Sequence, residues 1–312
     1  MQTAPPRLRF MRLRHCEILV ALSDLGNLRK AAEQLAISQP AVTKALQEIE
    51  SQLGAALFVR HSKGVIATPV GEAAVQHARL AISESRRLQE TLDGLQAGHL
   101  GRVRVGSIMA PVPQMLTRAI ALAKDRHPQM DISVTVDTSD MLMGQLEKGA
   151  LDVAIGRLTE RVERGSFSFE LLGEESLSVV AALRHPLAKV RKTTLKALMA
   201  YGWILQPRGS PMRELLELTF AENGLESPSR IVETAAILLT TTLLQHTEML
   251  AVVPTSVANH YAGSHLLSIL PVRLPRRLDP YGLITRRRES LSAAALAFIQ
   301  ALRRESNALR AT

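Results

Sequence analysis

The chain has 312 residues, a formal net charge of +9, 46% hydrophobic and 21% charged side chains. This composition excludes a wholly disordered chain, and the length allows two or three domains. The basic charge favours a polyanionic partner, such as nucleic acid or an anionic membrane surface. No apolar run approaches the roughly 18 residues of a membrane span, and no signal-peptide core follows the basic start. We therefore expect a soluble cytoplasmic protein with no membrane partner.

The N-terminal region has the pattern of short helices. Residues 13–25 have helical apolar spacing and end at Gly26. Asn27 is a suitable N-cap for a second helix over residues 28–35. The single cysteine, Cys16, falls on the apolar face of the first helix, which predicts a buried thiol and excludes an intrachain disulfide.

A third helix is predicted from Gln39 to Leu53. Ser38 can cap it, and Pro40 is tolerated in its first turn because those amides lack intrahelical partners. Its apolar positions recur at steps of four, three and four residues, which predicts burial of Val42, Leu46, Ile49 and Leu53. Residues 57–60 and 65–67 then form a predicted hairpin with a basic tip, the wing of a winged helix.

A long helix is predicted from Pro69 to about Leu95. Small and leucine side chains recur alternately at four and three residues, at Ala74, Ala78, Ala81, Ser85, Leu88, Leu92 and Leu95. This near-heptad pattern favours pairing with another helix. The alternative is a long amphipathic helix that packs on its own chain.

From Arg102 onward, strand and helix patterns alternate, which predicts an α/β region with parallel sheets and right-handed crossovers. The expected division is a winged-helix domain over 1–68, a linker and dimerisation helix over 69–98, and a domain over 99–312. Within the last, we expect lobe I at about 102–167 and 272–312, and lobe II at about 168–271.

Two helices joined by a tight turn, 28–35 and 39–53, match the spacing of a helix-turn-helix. The small pair Ala31 and Ala32 would allow a close crossing. Four side chains at the amino end of the third helix could enter a major groove: Ser38, Gln39, Thr43 and Lys44. Basic or imidazole side chains on either side could meet phosphates: Arg29, Lys30, Arg60, His61 and Lys63. For this pattern alone, a small helical bundle with a basic surface is the alternative.

Seven segments of the N-terminal region form a specific sequence pattern: LRH at 13–15, NLRKAAEQL at 27–35, SQPAVTK at 38–44, IE at 49–50, LG at 53–54, LFVR at 57–60 and TPVGE at 68–72. Together these segments closely resemble LysR-type transcriptional regulators. Residues 247–254 depart from the glycine-rich version common in the family. They are similar to the subgroup that includes the galactose-binding-protein regulator.

The resemblance implies a winged helix-turn-helix, a helix-mediated dimer or tetramer, and a two-lobed effector domain like a periplasmic binding protein. By position, Gln39, Pro40, Thr43 and Lys44 match the family's major-groove residues, and Arg60 its wing arginine. Lys44 stands where arginine is common, which removes bidentate reading of guanine. Double-stranded DNA is the expected partner, with RNA polymerase a further candidate.

Open parallel sheets bind ligands beyond the carboxyl ends of their strands. In lobe I, the candidate residues at these ends are Ser107, Thr138, Ser139 and Arg157. In lobe II they are Arg208, Ser210, Thr234 and Pro254. The hydroxyls and arginines predict a small-molecule effector that is polar or anionic.

The rival interpretations are a solute-binding protein, an enzyme with the same two-lobed fold, and an architectural DNA-binding protein without a ligand. The sequence contains no persuasive nucleophile–base spacing, Walker loop, dinucleotide turn or set of metal ligands. We therefore expect no enzymatic activity, catalytic residue, cofactor or metal. His77, His127 and His185 are isolated, which predicts surface or packing roles.

Overall fold

A computed structural model describes residues 11–62, 64–98, 100–159, 164–287 and 291–310. The chain divides into two compact units. The first contains the helices and hairpin up to Leu92, and the second contains most of the remaining chain. No helix of the described residues has the length and apolar composition that a membrane span needs.

The first unit is helical with one hairpin. Its elements are α1 (Leu13–Leu25), α2 (Leu28–Gln34), α3 (Gln39–Leu53), β1 (Phe58–His61), β2 (Gly64–Ala67) and α4 (Pro69–Ala97). The Asn27 side chain accepts hydrogen bonds from the amides of Arg29 and Lys30, at 2.9 and 3.1 Å, and so caps α2. Gly26 ends α1 in the left-handed conformation, which glycine adopts without steric cost.

The core of the first unit lies where α1, α2 and α3 meet. Ala31 and Ala32 are buried, as a close crossing of α2 and α3 requires. Val42, Leu46 and Ile49 are buried on α3 as predicted. The prediction for Leu53 is wrong, since its side chain is 37% exposed in the last turn of α3.

The hairpin is fixed to the helices through backbone and carboxylate contacts. The Val65 amide donates to the Gly26 carbonyl at 2.8 Å. A Glu50 carboxylate oxygen accepts from the amides of Leu57 and Phe58, at 2.7 and 3.2 Å. These bonds fix the wing relative to the carboxyl end of α1 and to α3.

The small and leucine side chains that recur along the linker helix α4 are only partly buried. Ala78 is buried and Ala74 is half-buried in the first unit's core. Farther along, Leu88 is 61% exposed and Leu92 is 45% exposed. The helix therefore packs on its own chain at its start and presents leucines to solvent later.

The second unit contains two mixed sheets. The strands of the first are β3 (Arg102–Ser107), β4 (Asp131–Val136), β5 (Val153–Gly156), β6 (Phe167–Gly173) and β12 (Tyr281–Arg286), in the spatial order β4-β3-β5-β12-β6. Its helices are a π turn (Val112–Leu116), α5 (Thr117–Arg126), α6 (Ser139–Glu147) and α11 (Ala293–Arg310). Strands β3, β4 and β5 are parallel, whereas β12 pairs antiparallel with β5 and β6. The predicted parallel pairing of β3, β4 and β5 is confirmed, and β12 and β6 extend the sheet with antiparallel pairing.

The strands of the second sheet are β7 (Leu177–Ala181), β8 (Trp203–Leu205), β9 (Ile231–Glu233), β10 (Leu250–Pro254) and β11 (Ser268–Ile269). Their spatial order is β11-β7-β10-β8-β9, with β7 antiparallel to β10 and to β11. Its helices are α7 (Leu195–Leu198), α8 (Pro211–Glu222), α9 (Ile237–His246) and α10 (Thr255–Gly263). The buried strands β8 and β10 lie between apolar faces on both sides.

The division between lobes differs from the expected boundaries. Strand β6 belongs to the first sheet, although residues from 168 onward were expected in lobe II. Val272, Leu274 and Leu278 pack in the core of the second sheet, although residues from 272 onward were expected in lobe I. The chain therefore crosses between lobes once after Gly173 and again shortly before Tyr281.

His185 is buried at 2% exposure in the second lobe. Its Nδ1 accepts from the Leu187 amide at 3.1 Å, and its Nε2 lies 3.3 Å from the Glu248 carbonyl oxygen. Burial lowers the pKa of His185 below its usual value. The neutral imidazole therefore has a packing role here.

Candidate DNA-reading surface and interlobe cavity

The amino end of α3 presents an exposed polar face. Ser38, Gln39, Pro40 and Lys44 are exposed, and Thr43 is half-buried. The Ser38 hydroxyl accepts from the Ala41 amide at 3.3 Å, which caps the helix. Because the opposite face of α3 packs in the core, the orientation of this polar face is fixed by that packing.

Basic side chains stand on both sides of this face. Lys30 is exposed on α2, and Arg60 and His61 are exposed on β1. Arg29 is also exposed, but it forms an ion pair with Glu33 at 3.0 Å, which partly offsets its charge. Lys63, predicted as a phosphate contact, lies outside the described residues.

The wing also has an apolar element that the sequence analysis missed. Val59 and Ile66 face each other across the hairpin and are 50% and 57% exposed. The alternation of exposed and buried positions in β2 is the signal that could have placed Ile66 outward.

A small cavity of about 20 Å³, close to the volume that one water molecule needs, lies between the two lobes of the second unit. The residues that form its wall are Ile108, Met109, Asp137, Thr138, Ser139, Arg157, Glu175, Gln206, Pro211, Met212 and Pro254. Thr138, Ser139, Arg157 and Pro254 were predicted, and the strand-end rule brings them together. We name this space the interlobe cavity.

The other predicted effector residues make different contacts. Buried Ser107 donates from its hydroxyl to the Ile108 carbonyl at 2.9 Å. Ser210 caps α8 by accepting from the Arg213 amide, and Thr234 accepts from the Ala236 amide. Arg208 is exposed. Among the described residues, none of these four contributes to the wall of the interlobe cavity.

Arg157 forms a buried ion pair with Glu175. The side chains of Arg157 and Glu175 are 7% and 3% exposed. The Arg157 Nε also donates to the Asp279 carbonyl at 2.7 Å. Burial raises the pKa of Glu175, and the neighbouring Arg157 opposes that rise. Since Glu175 and Asp279 lie on the two crossover segments, Arg157 holds both of them to the end of β5.

The sequence analysis missed Asp137 and Glu175 as cavity residues. Asp137 directly follows a strand, so the strand-end rule could have found it, as it places Gln206 after β8. Glu175 lies on a crossover segment, 18 residues from Arg157 in the sequence. No local sequence pattern therefore connects the two residues. Within the described part of the chain, no group of three or more His, Cys, Asp or Glu could hold a metal ion.

Comparisons with known proteins agree with this architecture. The family model "LysR substrate binding domain" matches residues 96–307, and "Bacterial regulatory helix-turn-helix protein, lysR family" matches residues 13–72. The regulator GbpR of Azospirillum brasilense is 33% identical over 298 residues, which cover 95% of this chain and 87% of the relative. The regulator GalR of Pseudomonas putida is 31% identical over 290 residues, covering 93% of this chain and 73% of the relative.

A solved structure of full-length CbnR in complex with its target DNA is similar in fold, with a TM-score of 0.61 at 23% identity. The similarity covers 95% of this chain and all (100%) of that one. Together, the two family models account for most of the chain. The chain therefore belongs to the LysR family of bacterial transcriptional regulators, as a DNA-binding regulator with a helix-turn-helix and an effector-binding domain.

Proposed function

We propose that the amino end of α3 reads base edges in the DNA major groove through Gln39, Pro40, Thr43 and Lys44. The observation that carries this proposal is the exposed polar face on a capped helix whose opposite side is buried. A helix in this setting can enter the groove with its first turns against the bases. Side-chain amides bind adenine edges well, which gives Gln39 a direct reading role.

The surrounding charges are proposed to position the helix on the duplex. Lys30, Arg60 and His61 are exposed beside α3 and can meet phosphates on either side of the groove. Ser38 combines its cap with an exposed position at the helix end, where backbone amides favour phosphate. Arg29 contributes less, because Glu33 competes for its guanidinium.

The interlobe cavity is the proposed effector site. It lies beyond the carboxyl ends of strands in both lobes, and its wall combines apolar side chains with a few polar groups. A ligand there shifts the regulator only if it binds one arrangement of the lobes more tightly than another. The crossover segments held by Arg157 are the parts of the chain that such a rearrangement would have to move.

Self-association is proposed to involve α4. Leu88 and Leu92 are exposed on the same face of this helix, one turn apart. A second copy of α4 would cover them, which gives a dimer. We further propose that the chain acts in the cytoplasm as a regulator and not as a catalyst, with RNA polymerase as a candidate partner.

The reading role of α3 predicts a difference between Gln39→Ala and Lys30→Ala. Gln39→Ala should reduce discrimination at its own base position by ~1–3 kcal/mol, with little effect on random DNA. Lys30→Ala should weaken specific and random binding alike and reduce the salt slope by ~0.9 for each phosphate that is no longer neutralised. Binding isotherms on both kinds of DNA, at several salt concentrations, measure both effects. Equal losses on specific and random DNA for both variants would contradict this division of roles.

A further inference from the structure

The charged side chains of the interlobe cavity carry no net positive charge. Among its described wall residues, Arg157 is the one cation, and Asp137 and Glu175 are the anions. The charge of Arg157 is neutralised by its buried ion pair with Glu175. The wall as described therefore offers an incoming anion no excess positive charge.

Two of the five N–H donors of the Arg157 guanidinium are also engaged. Its guanidinium donates to Glu175 and to the Asp279 carbonyl, and its centre lies 5.9 Å from the centre of the Tyr281 ring. A ligand carboxylate would have to displace Glu175 or lie beside it. Either arrangement leaves a buried carboxylate without full compensation, which is strongly unfavourable. Burial already raises the pKa of Glu175 even with Arg157 in place, so a second carboxylate would add to an existing strain on its charge.

The amino ends of helices at the cavity do not provide the positive potential that an anionic ligand would need. The amino ends of α6 and α8 lie at the cavity, and such ends favour anions. Each has an acidic residue in its first turn, Asp140 on α6 and Glu214 on α8. A second pocket shares Arg157 and Pro211 with the cavity, and its lining contains both acidic residues and Asp279, together with Arg276 and Arg277. Arg276 is itself paired with Glu222.

The wall has polar groups that suit an uncharged ligand. The Thr138 side chain is 3% exposed, lines the cavity, and its hydroxyl oxygen has no hydrogen-bond partner among the described residues. The carboxylate of Asp137 and the amide of Gln206 are the nearby acceptors and donors on the wall. Met109 and Met212 add adaptable apolar contact. A ligand hydroxyl or amide could satisfy Thr138 and donate to a carboxylate without bringing a charge.

We infer that the effector of the interlobe cavity is an uncharged small molecule recognised through hydroxyl or amide groups. Glu175 excludes carboxylate ligands because it already forms an ion pair with the Arg157 guanidinium. This inference rests on the proposed effector role of the cavity. It restricts the class of ligand expected from the sequence, polar or anionic, to uncharged polar molecules. The reason is that Arg157, which suggested an anion, is already paired with Glu175.

The test is calorimetric titration of the full chain with pairs of compounds that share a carbon skeleton and differ in charge. Suitable probes are benzamide and benzoate, and glucose and glucuronate. We expect at least one neutral compound to bind about tenfold or more tightly than its carboxylate counterpart, and no pair to show the reverse order. Preferential carboxylate binding would overturn the inference while leaving the cavity as a ligand site. Binding by no member of any pair would count against both the inference and the proposed effector role.

The variant Glu175→Gln tests the excluding role of Glu175 directly. An amide keeps a hydrogen-bond acceptor for Arg157 but leaves its charge available to a ligand. We expect carboxylate affinity to rise by about tenfold or more in this variant. Glu174→Gln, on the exposed neighbour, is the matched control and should leave carboxylate affinity unchanged. Unchanged carboxylate binding in a folded Glu175→Gln chain would contradict the inference, and should that variant not fold, the comparison of paired compounds on the unmodified chain still decides it.

Discussion

Replacing Arg157 with alanine is expected to lower the stability of the second unit by about 3–5 kcal/mol, because a buried charge is left without its partner. Without the guanidinium, the Glu175 carboxylate is 3% exposed and has lost its ion-pair partner. The Asp279 carbonyl also loses the hydrogen bond that it accepts from Arg157. Urea unfolding followed by tryptophan fluorescence measures this effect. Trp203 is the only tryptophan in the sequence and is fully buried in the second sheet, so its signal reports on that unit.

Arg303→Ala is the control for the Arg157 prediction. Arg303 pairs with Glu170 at 2.7 Å, but both side chains are about half exposed, at 53% and 43%. An exposed pair of this kind contributes about 0–1 kcal/mol. A loss of stability in Arg157→Ala no larger than in Arg303→Ala would show that the buried pair does not hold the crossovers.

Replacing Gly64 with alanine is expected to separate the wing from the helices and abolish high-affinity DNA binding. Gly64 has a φ of +145°, which side-chain-bearing residues rarely adopt, and an added Cβ would lie 2.0 Å from the Gly26 carbonyl oxygen. Since that carbonyl accepts from the Val65 amide, relieving the clash would break the bond that fixes the hairpin. The strained φ alone costs about 1–3 kcal/mol, and the broken hydrogen bond adds ~1 kcal/mol.

Limited proteolysis of the wing and a DNA-binding isotherm measure the effect of Gly64→Ala. The Trp203 unfolding transition should be unchanged, because that residue belongs to the other unit. Gly144→Ala is the matched control, since a Cβ there meets open space within α6. It should be neutral or stabilise by about 0.5–1 kcal/mol. Normal DNA binding and wing protection in Gly64→Ala would contradict the proposed docking of the hairpin.

Elements with local start and stop signals could be predicted from the sequence. The bounds of α1 match the prediction because Gly26 ends the helix, and α3 begins where Ser38 caps it. The direction of β12 could not be predicted, because side-chain alternation is the same in parallel and antiparallel strands. That β6 belongs to the first sheet could not be predicted either, since it pairs with β12, which lies more than a hundred residues later in the sequence.

The candidate site was predictable to the extent that it follows strand ends. Thr138 and Arg157 each come directly after or near the end of a strand, so topology alone brings them to the cavity. The pairing of Arg157 with Glu175 could not be deduced, because it depends on where the crossover segment after β6 lies in the folded chain. That pairing changes the chemistry of the site, since it removes the cation that made an anionic ligand attractive.

The central claim is that the exposed flank of α3 confers sequence preference on DNA binding. The most direct test is to sequence the genomic fragments that the purified full chain retains at moderate salt. The account predicts a shared motif whose two related half-sites are separated by about 10 bp or a multiple of it, as a dimer would require. Retained fragments with no common sequence would contradict the account.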